Sequence, residues 1–267
     1  MANVSFVIPF YNSADTIDAT IASIRSQSYR DYDIWIIDDG SVYESSKEKL
    51  ELLAKQEKVT VLIQENAGPA VARNEAIKRS NAQFIVPLDA DDKIMPEALT
   101  IALPFFDQHP QIGAVYGDLQ FFGEQTGIKV QDDFDIRKAL LYNQVAMCSV
   151  IRKSVFEKSG YFDTFMSKPG LEDWEFWIRV TEDGWRLLHI PQILFQVRVR
   201  SSSRTFQQAN KNLSLLYRHV WAKHALTVRR EYEKLFYERK QLAETPDYRI
   251  GNKLMAPYRA LKKLFKG

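Results

Sequence analysis

The chain has 267 residues, enough for one large domain with a sizeable core or for a domain with an appendage. Hydrophobic residues make up 45% and charged residues 26%, and the formal net charge is +2, so the composition is that of a globular protein with no global pull towards nucleic acid. The single cysteine, Cys148, excludes an intramolecular disulfide and suits a reducing compartment.

The first ninety residues alternate between two hydrophobic periods. Residues 4–8 form a short β-branched and aromatic run, and after Ser13, an N-cap candidate, Ile17, Ile21 and Ile24 recur at helical spacing. A second apolar run at 34–37 ends in Asp38-Asp39-Gly40-Ser41. Helix is expected over 47–56 and a third strand over 59–63. Gly68-Pro69 then opens a helix of small residues, and a fourth strand, 84–88, ends in Asp89-Ala90-Asp91-Asp92. Short buried strands separated by helices predict a parallel sheet, whose ligands sit beyond the carboxyl ends of the strands.

Further along, 114–122 reads as a strand, 136–142 as a short helix, and 155–158 as a helical turn closed by Gly160. Pro169-Gly170 precedes an aromatic helix over 171–181. Two separate apolar runs follow, 185–190 and 193–199, and then a helical pattern over 206–241 with Leu213, Leu216, Val220 and Val228 on one face.

Three acidic clusters are candidates for chemistry. In an extended segment Asp89 and Asp91 would project to one side, where close carboxylates favour a hard divalent cation, Mg²⁺ or Mn²⁺, between them. The alternative is a solvated turn before the next helix. Asp39 could accept hydrogen bonds from a nucleobase or ribose, with Gly40 allowing close approach; a strand-ending turn uses the same residues. Asp173 could be a general base and Trp174 a sugar platform, although acids in a first helical turn also answer to the helix dipole, which would lower the Asp173 pKa. His219 and His224 are five apart, off a common helical face, and read as surface or packing residues rather than ligands.

Taken in order, Val4-Ser5-Phe6-Val7-Ile8-Pro9-Phe10-Tyr11-Asn12, Asp38-Asp39-Gly40-Ser41, Gln64-Glu65-Asn66-Ala67-Gly68, Ala72-Arg73-Asn74, Asp89-Ala90-Asp91-Asp92 and Glu172-Asp173-Trp174 closely resemble the family 2 glycosyltransferases. The resemblance extends to about Ser203. It implies an α/β GT-A fold, with a mostly parallel central sheet flanked by helices, to which the helical pattern beyond 205 adds a C-terminal helical extension. It also implies an inverting transfer of a sugar from a nucleoside diphosphate, most simply UDP, to a hydroxyl of a saccharide or lipid-linked saccharide. Carried over by position, Pro9, Tyr11 and Asp39 would hold the nucleoside, Arg73 would lie beside the nucleotide, and Asn66 and Gly68 would also bind substrate. Asp91 and Asp89 would bind Mn²⁺ or Mg²⁺, Asp173 would be the base, Trp174 would line the acceptor site, and Glu172 would be a further substrate-binding residue.

One position departs from the family. Where an Arg-x-His-x-x-Ser pattern often stands, this chain reads Arg198-Val199-Arg200-Ser201-Ser202-Ser203. Arg200 cannot ligate a metal, but its fork suits a departing diphosphate. The expected organisation is a catalytic domain over 1–205, with a nucleotide half at 1–110 and an acceptor half at 111–205, and a helical extension over 206–267.

The N-terminus lacks a basic stretch leading into an apolar segment, and no uncharged apolar run reaches the roughly 18 residues of a membrane span. The expected location is therefore the cytoplasm. A basic tail, 249–267, sets Tyr258, Leu261, Leu264 and Phe265 on one helical face among lysines, which would suit an anionic membrane surface on the inner side of the cell membrane or a solvated terminus. Rival readings are a nucleotidyltransferase, which wants a glycine-rich phosphate loop where Pro9-Phe10-Tyr11 stands, an oxidoreductase, which wants Gly-x-Gly-x-x-Gly there, and a degenerate transferase acting as a glycan-binding or scaffolding protein.

Overall fold

Strand β1 (Val4–Phe10) is buried along nearly its whole length, as a strand between two parallel neighbours must be. The computed structural model describes residues 2–167, 171–200 and 210–246. β1 pairs in parallel with β2 (Tyr32–Asp39) and β4 (Phe84–Pro87), and β2 pairs in parallel with β3 (Val59–Gln64). The crossovers run through α1 (Ala14–Arg25), α2 (Glu44–Ala54) and α3 (Pro69–Arg79). Parallel pairing brings the ends Phe10, Asp39, Gln64 and Pro87 to one edge of the sheet, and the residues that follow them build the site.

The second half adds β5 (Lys93–Ile94), α4 (Ala98–Gln108), β6 (Ile112–Gly123), β7 (Gly127–Lys129), α5 (Ile136–Ala139) and β8 (Val150–Arg152). After α6 (Lys153–Ser159), α7 (Thr164–Ser167) and α8 (Glu172–Glu182) comes β9 (Arg186–Val199). Among the described residues the sheet runs β3-β2-β1-β4-β8-β6-β9-β5, with β7 on the flank of β6. The long pairings are parallel, including β6 with β9, and the antiparallel ones span only two or three residues each. Alternation along the strands divides the core between two faces: Phe6, Ile8, Ile34 and Ile36 pack in one cluster, Val7, Ile37 and Ile85 in the other. Each such side chain contributes about 1.5–3 kcal/mol by leaving water.

Three expectations change. The apolar runs 185–190 and 193–199 are one strand, because β9 absorbs Pro191, which has no N–H for the ladder, in a bulge where Gly117 pairs with Ile190 and Asp118 with Ile193. Gly117 is needed there, since a Cβ would come within 2.5 Å of the Gln192 carbonyl oxygen. The long helix expected over 206–241 is two, α9 (Asn210–Lys223) and α10 (Ala225–Glu244), with the ladder restarting where Val228 N donates to the His224 carbonyl. Ser13 does precede α1, but its hydroxyl turns back to the Tyr11 carbonyl and caps no helical N–H.

The chain forms two compact units, 1–220 and 221–267. In the first, Leu216 and Val220 are buried, while Leu213, expected on the same apolar face, is exposed. In the second, α10 exposes Leu226, Tyr232, Phe236 and Tyr237. Among the described residues no helix is long and apolar enough to cross a membrane. Pro169-Gly170 and the basic tail lie outside the described residues.

Candidate active site

The strand edge opens into a cavity of about 870 Å³ lined by residues that follow β1, β2, β3 and β4 and by the end of β9. Pro9, Tyr11, Asp39, Asn66, Gly68, Asp89, Asp91 and Arg200 all border it. Asp39 organises one wall. Its Oδ1 accepts from Gln64 Nε2 and Ala67 N, each at 2.8 Å, and its Oδ2 from Gly68 N at 2.9 Å. Asn66 Nδ2 reaches the Asp39 carbonyl at 2.8 Å. A carboxylate has about four acceptor sites, so Asp39 keeps roughly one for a ligand, and holding the 66–68 loop is its main use of the charge. Gly68 takes a φ of 94° that favours glycine, and Pro69 starts α3 at a position that needs no N–H donor.

The acids after β4 form a turn. Asp92 N donates to the Asp89 carbonyl at 3.1 Å, so strand alternation is not what brings Asp89 and Asp91 together. Their side chains are 43% and 32% exposed, which leaves both open to a ligand. Burial and the neighbouring Asp89 charge raise the Asp91 pKa, and Arg200 and Arg198 pull it back. Arg200 Nη2 stands 3.2 Å from Asp91 Oδ2. The third acid serves the fold: buried Asp92 accepts from Arg198 N at 2.8 Å and from Cys148 Sγ, and burial followed by repulsion from Asp89 and Asp91 pushes its pKa well up.

A second cavity, about 240 Å³, shares Asp89, Asp92 and Val197 with the first. The start of α8 forms part of its wall through Glu172 and Asp173, and Asn143 and Lys129 also line it. Arg73, from α3, joins the two regions: it pairs with Asp89 and, at 2.5 Å, with Glu172 Oε1. Burial opposes the Arg73 charge, but the two carboxylates outweigh it and raise its pKa.

Asp173 is 9% exposed. Burial first, and then the Glu172 charge, push its pKa up to about 7, against hydrogen bonds from the Asn143 side chain and the Trp174 N–H and the positive charge of Arg73. The helix dipole led to the opposite expectation. It is outweighed because desolvation of a buried carboxylate shifts pKa by units, whereas a dipole contributes ~0.3–1 kcal/mol at exposed sites.

The family profile described as "Glycosyl transferase family 2" matches residues 5–162. The chain belongs to glycosyl transferase family 2. An uncharacterized glycosyltransferase of Rickettsia bellii is 25% identical over 213 residues, covering 79% of this chain and 31% of the relative. A poly-β-1,6-N-acetyl-D-glucosamine synthase of Staphylococcus aureus is 28% identical over 193 residues, covering 70% of this chain and 46% of the relative. The chain thus spans less than half the length of these relatives. Among solved structures, S. aureus TarS 1–349 in complex with UDP-GlcNAc superposes with a TM-score of 0.65 at 19% identity, covering 78% of this chain and 61% of that one. The complex with UDP gives 0.62 at 19%, covering 75% and 61%. The fold is the α/β GT-A fold implied by the sequence motifs.

Within this family 2 chain two expected roles need correction. Trp174 lines neither of these two cavities: it is 2% exposed, its indole N–H donates to the Ala139 carbonyl at 2.6 Å, and its ring meets Tyr217 edge-on at 5.0 Å. Arg73 is also enclosed, and both arms of its guanidinium are engaged by acids rather than exposed to the larger cavity where a nucleotide was expected beside it. His219 is a packing residue as read, bonded to Asp163 at 2.9 Å and stacked on Phe165. The sequence motifs did not reveal Asn143 beside Asp173, because 143 lies in a stretch without periodicity or motif. Phe121, Gln125 and Arg198 in the larger cavity were equally unassigned, and only Arg198 carried a signal, through its place in the Arg198-x-Arg200 pattern.

Proposed function

We propose that this chain transfers a sugar from a nucleoside diphosphate, UDP in the first instance, to a hydroxyl of a growing saccharide, with inversion at the anomeric carbon. The observation that carries this reading is the junction of the two cavities: a half-buried pair of acids on one side, and on the other a buried carboxylate with a pKa of about 7, with Asp89 and Asp92 common to both. Family membership and the UDP and UDP-GlcNAc complexes of TarS support the donor class. The polysaccharide synthase among the relatives supports a glycan acceptor.

In a single displacement the acceptor oxygen attacks the anomeric carbon from one face while the bond to the β-phosphate oxygen breaks on the other, and the hydroxyl proton passes to Asp173. A base works best with a pKa near the operating pH and contributes typically ~10²–10⁴-fold. The base form is required, so transfer should fall as pH drops below about 7, the pKa that burial gives Asp173. Alignment of the three reacting atoms supplies much of the remaining barrier reduction, since enzymes typically remove ~8–23 kcal/mol.

Among the described residues no cluster of three or more His, Cys, Asp or Glu side chains forms a ready-made metal cage. Two half-buried carboxylates from one turn nevertheless fit Mg²⁺ or Mn²⁺, which bind through one or two carboxylates together with substrate phosphates. Asp91 and Asp89 would hold the cation. When bound it supplies Lewis-acid neutralisation of the diphosphate. Arg200 and Arg198 border the same cavity and offer fixed positive charge to the leaving group. The catalytic domain is taken as 1–205, and attachment of the 249–267 tail to an anionic membrane rests on its sequence pattern.

The test is release of nucleoside diphosphate from UDP-, GDP- and dTDP-sugars with Mn²⁺ and a mixture of oligosaccharide acceptors. Turnover of a UDP-sugar is the expected result. Glycan binding without turnover of any donor would favour the scaffolding reading.

A further inference from the structure

Each carboxylate proposed for the cation already has a guanidinium from this chain beside it. Arg73 pairs with Asp89, and Arg200 Nη2 stands 3.2 Å from Asp91 Oδ2. The two arginines are held very differently. The Arg73 side chain is 2% exposed and is tied to Glu172 as well, so leaving Asp89 would strand a charge in the interior. The Arg200 side chain is 40% exposed and borders the larger cavity just past the end of β9. A pair open to water in this way is weakly held and exchanges readily.

The backbone beneath Arg200 is anchored. Arg198 N donates to Asp92 Oδ1 at 2.8 Å, and the Arg198 guanidinium lies 4.6 Å from the centre of the Phe122 ring. These contacts keep residue 200 beside the Asp89–Asp92 turn, so a change of partner there falls to the side chain. Arginine has five N–H donors and no acceptor, and therefore cannot share in holding a cation. At Asp91 its guanidinium competes with a divalent cation, by its charge and by occupying the carboxylate. The same planar fork matches the paired oxygens of a diphosphate.

We propose that Arg200 is an exchangeable counter-ion: it holds Asp91 in the free chain and passes to the diphosphate when the donor binds, which releases Asp91 for Mg²⁺ or Mn²⁺. This rests on the transferase reading and adds an order of binding to it, in which the cation enters with the nucleotide and not before. No covalent bond is made or broken in the exchange; one charge-assisted pair replaces another. Arg73 stays on Asp89 throughout, so Asp91 alone is gated by its arginine.

The experiment uses the full chain in two titrations: Mn²⁺ alone, followed by the electron spin resonance of the free ion, and UDP in saturating Mn²⁺, followed by calorimetry. The unmutated chain should hold Mn²⁺ alone with a Kd weaker than ~10⁻⁴ M, the range of sites with few charged ligands. Arg200→Gln should bind Mn²⁺ alone at least ~10-fold more tightly and UDP at least ~10-fold more weakly, the scale of one charged hydrogen bond. The opposite signs are the signature, because a merely structural role would weaken both. Arg200→Lys keeps the charge without the fork, and its affinity for Mn²⁺ alone should stay within ~3-fold of the unmutated chain, the scale of an exposed ion pair. Unchanged or weaker Mn²⁺ binding by Arg200→Gln overturns the exchange, as does a UDP affinity that does not fall. An equal gain in Arg200→Lys also overturns it, since the bulk of the arm rather than its charge would then exclude the cation. Should neither variant fold, the unmutated chain decides: Mn²⁺ held tightly without nucleotide overturns the exchange, and Mn²⁺ retained only with UDP supports it. Both affinities shifting as expected without turnover of any donor would refute the transferase reading and leave the exchange standing. Turnover with Mn²⁺ affinity unmoved in Arg200→Gln would do the reverse.

Discussion

The two cavities are built on opposite principles. The larger one follows consecutive strand ends, and its carboxylates are either tied into loops, as Asp39 is, or half-buried and near cationic side chains, as Asp91 is. The smaller one assembles α3, α8 and the 143–148 stretch from distant parts of the chain, and it keeps a buried acid with a raised pKa among unpaired atoms. A charge meant for a strongly anionic ligand can stay near water, because the ligand brings its own attraction. A base meant to accept a proton in the transition state must be kept partly desolvated, and the fold carries that cost.

The sharpest way to break this contrast is to remove the proposed base. Asp173→Asn should lower kcat by about 10²–10⁴-fold while UDP-sugar affinity, measured by calorimetry, is retained. A parallel loss of donor affinity would mean that the two cavities do not divide the labour. Next in size is the tie between them. Arg73→Met strips Asp89 and Glu172 of their shared buried cation and should cost about 3–5 kcal/mol in urea unfolding, the scale of removing one partner of a buried pair. A loss below about 1 kcal/mol, the range of surface pairs, would show that water already screens the bridge.

Asp91→Ala should weaken UDP-sugar binding in Mn²⁺ by roughly 10- to 100-fold, the scale of one lost charged contact, with little further change on adding a chelator. Unchanged affinity would remove Asp91 from the proposed cation site. The smallest effect is on stability. Burial raises the Asp173 pKa above its unfolded value, so the native state holds the proton longer and the protein loses stability as pH rises from about 4 to about 7. Asp173→Asn escapes that loss, and its stability relative to the unmutated protein should improve by roughly 2 kcal/mol between pH 5 and pH 8 in chemical denaturation. A pH-independent difference would place the charge in a better-solvated setting than its burial implies.

Much of the larger cavity was legible because its residues follow strands directly. Once 4–8, 34–37, 59–63 and 84–88 read as parallel strands, Pro9, Asp39, Asn66 and Asp89 were bound to share an edge, whatever the packing. The same reading misjudged details that depend on backbone path. The alternation argument for Asp89 and Asp91 failed because the segment turns, and two runs in β9 proved to be one strand because a bulge accommodates Pro191.

Sequence alone determined the alternation of strand and helix, the acids at the strand ends and the family to which the chain belongs, because these depend on local periodicity and ordered motifs. Only the tertiary structure decided that Trp174 packs inward, that Arg73 ties Asp89 to Glu172, that Asn143 reaches Asp173, and that the Asp173 pKa rises rather than falls. Desolvation and pairing are set by what surrounds a side chain in space, and residues 73, 143 and 173 become neighbours only after the sheet has closed around them.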